Sequence, residues 1–144
     1  MKITDIKHRT DLPEFLNKNN LCGIGAEIGV RYGEYSSILL KLWDRKNKMA
    51  PVNQVKKYLP EQTNTQMYLG DYIHTRAKNT LQTYGDRSRM LKMTSANAAK
   101  IIEDNTLDFC FIDASHTYEH VIQDCNIWWP KIKSGGVLCG HDYK

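Results

Sequence analysis

No apolar run in this sequence approaches the ~18 residues that a membrane-spanning helix needs. The opening "MKITDIKHRTDLPEF" also has none of the apolar core of a secretory signal. Its four cysteines, Cys22, Cys110, Cys125 and Cys139, form no CxxC pair or other metal-ligand spacing. Three of them lie inside or beside apolar stretches and read as small buried thiols of a reducing compartment. Neither sign of charge dominates, with 20 Lys and Arg against 16 Asp and Glu. The densest basic stretch, 41–57, lacks the interleaved aromatic and Arg clusters that stacking on bases would use. These absences argue against a membrane span, a thiolate metal centre and a nucleic-acid partner, and they point to a cytoplasmic protein.

What is present is the composition of one folded domain, 1–144, with 41% hydrophobic and 25% charged residues. The apolar runs "FCFIDA" (109–114) and "GGVLCG" (135–140) are too short for helices and suit buried strands, as do the fainter "AEIGV" (26–30) and "RMLKM" (89–93). Between them the period changes. Tyr118, Val121, Ile122, Cys125, Trp128 and Trp129 recur as one helical stripe, with Thr117 as N-cap and Pro130 as stop. "SSILLKLW" (36–43), 65–84 and "SANAAKIIE" (95–103) read as further helices, the last capped by Thr94 or Ser95. Alternating strands and helices imply βαβ units, hence an α/β fold with a mostly parallel sheet between helical layers, a Rossmann-like sandwich.

"GIGAEIG" (23–29) has the spacing GxGxxxG, which is not the dinucleotide fingerprint, and no GK[ST] follows to make a phosphate loop. If 26–30 is a strand, Glu27 lies near its carboxyl end, where open α/β sheets bind ligands, and Gly29 and Gly33 let backbone come close to one. A carboxylate there repels a pyrophosphate, since like charges ~4 Å apart cost on the order of 4 kcal/mol at an effective dielectric of about 20. It attracts an ammonium or a sulfonium. The alternative for these glycines is a tight turn without a ligand.

"EIGVRYG" resembles the ExGxxxG first motif of class I S-adenosylmethionine-dependent methyltransferases. "LDFCFIDASHTYEHVIQDCNIWWPKIKSGGVLCGHDY" (107–143) is similar to the family-24 type, which carries an FIDAxHxY block and a closing GHDY. The likeness spans 25–143 and implies S-adenosyl-L-methionine as cofactor, lined by Glu27, Gly29, Val30, Gly33 and Asp113. Family members hold the ribose with an acid after the second strand. Here Asn53 stands in the matching stretch "KMAPVNQVKKY" (48–58), keeping hydrogen bonds but losing their charge-assisted share; a plain surface role is the alternative. Pro51 also fits an inner strand poorly. Ser95 is the candidate neighbour of the adenine, or simply a helix cap.

Asp113 closes its strand at the carboxyl end of the sheet, whereas Asp108, five residues earlier, points to the opposite face and is no catalytic partner. Methyl transfer from a sulfonium asks the protein to position an acceptor and take its proton. His116 and His141 are the candidate bases, either of which could instead be a structural hydrogen bonder. Asp113 with Asp142 could bind magnesium, as acids at similar places do in related catechol-type enzymes. Tyr118, Trp128 and Trp129 are expected to anchor their helix in the core.

The resemblance implies an O-methyl transfer to a small-molecule or sugar-like acceptor. The seven-stranded family fold ends in a hairpin after the fifth strand, so the sequence ending at Lys144 is expected to lack it, either as a fragment or as a reduced form, and to expose a sheet edge through which a homodimer could form. The rival readings are a methyltransferase-like binding or assembly module without catalysis and an NAD-dependent oxidoreductase.

Overall fold

The computed structural model describes residues 1–43, 50–51 and 64–141. Its strands are β1 (Gly25–Ile28), β2 (Ala50–Pro51), β3 (Ser88–Arg89), β4 (Leu107–Ile112) and β5 (Ile132–Gly140). The α-helices are α1 (Leu12–Lys18), α2 (Glu34–Leu42), α3 (Asn64–Leu81), α4 (Ser95–Lys100) and α5 (Tyr118–Trp128). Among the described residues all strand pairs are parallel. One set runs β1-β4-β5; β2 pairs with β3 and lies against β1. Short strands linked through helices make this an α/β, Rossmann-like fold, as the alternating pattern predicts.

β4 is buried along its whole length because both of its faces are covered. Phe109 and Phe111 turn to one face, against Phe15, Leu16, Tyr35, Leu39 and Trp43 of the α1–α2 layer. Cys110 and Ile112 turn to the other, against Ala98, Ala99 and Trp128 of the α4–α5 layer. β1 keeps the same period: Ala26 and Ile28 join the α4–α5 side. Glu27, in register with Phe111, must then face α2. That alternation puts a carboxyl group inside the protein. The four cysteines are free thiols, and burial pushes Cys139 up to about 12 and Cys110 well upward, which disfavours their thiolate forms.

Several elements depart from the expectation. β1 stops at Ile28, because Gly29 turns to a φ of 99°. The strand expected over 89–93 is reduced to Ser88–Arg89. The third helix ends at Leu81 and continues as a 3-10 stretch through the positive-φ Gly85. Pro51 does sit in a strand, as the second of its two residues.

The largest correction concerns α5. Tyr118, 76% exposed, and Trp129, 65% exposed, are not core anchors, and Val121 and Ile122 also face outward. The buried face instead follows His120, Asp124, Ile127 and Trp128. Trp128 sets this register: it is fully buried and its indole Nε1–H donates to Ser95 Oγ at 2.8 Å. The N-cap of α4 is Thr94, whose hydroxyl accepts from the Asn97 backbone N–H at 3.3 Å.

Candidate functional site

The carboxyl ends of β1 and β4 are locked side by side. Asp113 N–H donates to the Ile28 carbonyl at 2.7 Å. A Cβ on Gly29 would stand 2.1 Å from the Asp113 carbonyl oxygen, so glycine is needed there by the neighbouring backbone as well as by its φ. Gly33, at φ 79°, then N-caps α2 and swings the chain back over the sheet.

Above this junction lies a cavity of about 490 Å³, within the size range of small-molecule sites. It is lined by Glu27, Gly29, Val30, Gly33, Asp113, His116 and His141, all proposed from sequence, together with Arg9, Arg31, Tyr32, Glu34, Tyr35, Ile73 and Ala114. Ser95 does not line it. Asn53 and Asp142 lie outside the described residues.

Glu27 is only 3% exposed, and Ser36 of α2 donates its hydroxyl to Oε2. Burial pushes the carboxyl up to about 7; the Ser36 bond opposes this, the Asp113 charge adds to it, and the Arg9 charge opposes it. Such a group is short of positive charge. It lines the cavity, where a cation would find it.

Asp113, its side chain 20% exposed, stands between two cationic or potentially cationic groups. Arg9 Nη1 lies 3.7 Å from one of its oxygens and His141 Nδ1 3.8 Å from the other. Both separations exceed hydrogen-bond length, leaving room between them. His141 is held by its backbone N–H, which donates to the Ile112 carbonyl at 3.1 Å. The turn carrying His116 is ordered by His120, whose Nδ1 lies 2.8 Å from Ser115 Oγ and 2.7 Å from Thr117 Oγ1. Asp108, at the other end of β4, is structural: it accepts from the N–H groups of Gly23 (2.8 Å) and Ile24 (2.7 Å) and pairs with Lys133.

The methyltransferase domain model matches residues 26–143 of this sequence. The chain belongs to that methyltransferase family. Among solved structures, the O-methyltransferase TomG from Streptomyces achromogenes, involved in tomaymycin synthesis and held in complex with SAM, superposes with a TM-score of 0.63 at 12% identity, covering 90% of this chain and 52% of its own. The SAH-bound methyltransferase PaMTH1 from Podospora anserina does so with 0.60 at 19%, covering 91% and 51%. Similarity this remote speaks for the shared fold. The chain thus spans about half the length of these structural relatives. A Sinorhizobium fredii protein, y4gI, is 33% identical over 75 residues, 52% of this chain and 8% of its own length.

Sequence reasoning missed Arg9, Tyr35 and Ser36. Ser36 follows the glycine turn at helical spacing and was legible as a partner for a buried acid. Arg9 carried no local signal, because it precedes the matched domain and reaches the cavity only through the packing of α1 on α2.

Proposed function

We propose that the chain is an S-adenosyl-L-methionine-dependent methyltransferase acting on an oxygen of a small-molecule or sugar-like acceptor. The observation that carries this reading is Glu27: a buried carboxyl at the end of β1, lining a cavity shared with Asp113. The residues fit a cationic ligand and oppose a pyrophosphate. When bound, the cofactor supplies an activated methyl group with a neutral thioether as leaving group. The chain supplies the rest.

In this reading, Glu27 and Asp113 hold the ammonium of the cofactor's amino-acid end, and Gly29, Val30 and Gly33 form the wall against it. Asn53 takes the ribose diol. Ser95, whose hydroxyl accepts from Trp128 and still has a proton to donate, lies toward the adenine. His141 or His116 would accept the proton of the acceptor hydroxyl, Asp113 would orient His141, and the cofactor would supply the methyl group that the oxygen takes up. Among the described residues, no group of three or more His, Cys, Asp or Glu is arranged to hold a metal ion. No step is assigned to magnesium at Asp113 and Asp142.

Calorimetry with S-adenosylmethionine, S-adenosylhomocysteine and NAD tests the cofactor. Heat with NAD alone would end the proposal. For the chemistry, Asp113→Ala and His141→Ala are each expected to lower turnover about 100-fold or more. Unchanged turnover in both would remove these residues from the reaction.

A binding or assembly role is the second reading. It is favoured by the outer edge of β5, which has a strand partner on one side only among the described residues, and by the exposed Tyr118, Val121, Ile122 and Trp129 nearby in sequence. A second copy of the chain is the partner proposed for this surface. A dimer so formed is compatible with catalysis.

A further inference from the structure

A zwitterionic amino acid has two ends, and the cavity described above answers only one of them with acids. Two arginines also line it, Arg9 and Arg31. They are placed differently.

Arg31 is exposed, and its guanidinium lies over the ring of Tyr32, 5.0 Å from the centroid, with Arg76 over the same ring at 5.3 Å. Arg9, its side chain 36% exposed, is held in place by its neighbours. The Tyr35 hydroxyl, on a side chain 5% exposed, donates to the Arg9 carbonyl at 2.7 Å, and the Arg9 guanidinium rests over the same Tyr35 ring at 5.0 Å. The segment is pinned from the other side by Asp11, whose carboxylate accepts the N–H groups of Lys7 (2.9 Å) and His8 (2.8 Å). Those two bonds also hold the Asp11 carboxyl below its ordinary range.

The result is a planar cation fixed on a buried aromatic base, 3.7 Å from Asp113 and close enough to Glu27 to oppose the rise in its pKa. At that distance from Asp113 the fork of N–H donors is not consumed by a bidentate pair. It remains a donor set suited to a carboxylate. The N-terminus of α2, the other candidate, begins with Glu34, whose charge offsets the favourable end of the helix dipole.

We propose that Arg9, from the segment ahead of the matched methyltransferase domain, receives the carboxylate of the cofactor's amino-acid end, opposite Glu27 and Asp113. This rests on the cofactor reading given above. Arg9 thereby makes the pocket selective for an amino acid over a simple amine. Through it, the N-terminal segment becomes part of the binding site.

The test uses two ligands that differ only in that carboxylate: S-adenosylhomocysteine and S-adenosyl-3-thiopropylamine. Titration calorimetry of the full chain is expected to show Arg9→Gln weakening the first by about tenfold or more while shifting the second by less than about twofold. Arg9→Lys keeps the charge without the fork and is expected to fall between. Arg31→Gln, at the exposed rim of the same cavity, is expected to weaken the first ligand less than Arg9→Gln does. A structural role for Arg9 would weaken both ligands alike and lower the melting temperature; that pattern, or no loss for S-adenosylhomocysteine, overturns the proposal. A selective loss in Arg31→Gln as large as that in Arg9→Gln, or larger, would reassign the role to Arg31 and overturn it equally. If the unaltered chain binds neither ligand, the cofactor reading itself fails, a result distinct from all of these.

Discussion

A carboxyl group that is 3% exposed, beside a serine hydroxyl and within the field of a second acid, holds its proton to about pH 7. The unfolded chain releases the same proton near 4.5. Between those values the folded state binds more protons than the unfolded one, so stability falls as pH rises through the window, by about 3 kcal/mol in all. Glu27→Gln removes that cost. It is expected to melt higher than the unaltered chain above pH 7 and to match it more closely at about pH 5, while losing about tenfold or more in cofactor affinity. Thermal melts at the two pH values, paired with calorimetry, check both halves; a lower melting point above neutrality would show that Glu27 is not strained by burial. The same linkage predicts the pH dependence of binding. A cationic ligand needs the carboxylate, so affinity should rise with pH and level off above about 7, losing up to about tenfold per unit below it. A flat binding profile across that range would remove Glu27 from contact with the cation.

Elements are fitted to one another by small residues as much as by large ones. The glycines that look like a cofactor loop answer β4: a Cβ on Gly25 would stand 2.0 Å from the Phe109 ring, and one on Gly29 would meet the Asp113 backbone. Gly29→Ala is therefore expected to destabilise the fold by more than about 1 kcal/mol, measured by urea unfolding. Stability equal to the unaltered chain would mean that the β1–β4 junction yields easily. At the other face, α5 hangs on one tryptophan. Trp128→Ala should cost about 3–5 kcal/mol, whereas Tyr118→Ala should stay within about 0.5 kcal/mol because its ring is already in water. Comparable losses in the two variants would restore the stripe that apolarity alone predicts.

At the scale of the whole molecule, a sheet with helices on both faces still has edges. β5, nine residues long, is flanked only by β4 among the described residues. It contacts α5, whose outward side carries Val121 and Ile122. Backbone donors and acceptors along such an edge are satisfied by water or by another strand. The chain is expected to self-associate with rising concentration in light scattering, and Ile122→Lys with Trp129→Glu is expected to shift it toward monomer without lowering its melting temperature. A monomer at all concentrations would remove the second copy from this surface. No helix among the described residues is long and apolar enough to cross a membrane.

The α/β class, the order of the main elements from β1 onward and the pairing of Glu27 with Asp113 in one cavity were legible in the sequence; α1 was not. They depend on short-range chemistry: apolar runs of strand length, the period of a helix, and a carboxylate at each of two strand ends. The burial of Glu27 was open to the same reading, since alternation along β1 leaves it no other face. Three things came only with the tertiary structure. The face that α5 presents was decided by one indole reaching Ser95, which outweighs a count of apolar positions. The role of the glycines was decided by the Phe109 ring of β4 and the backbone that follows it at Asp113, both distant in the chain. Arg9 became part of the site because Tyr35 holds it there, and a contact between residues 26 apart, made through the packing of separate elements, leaves no periodicity for a sequence to display.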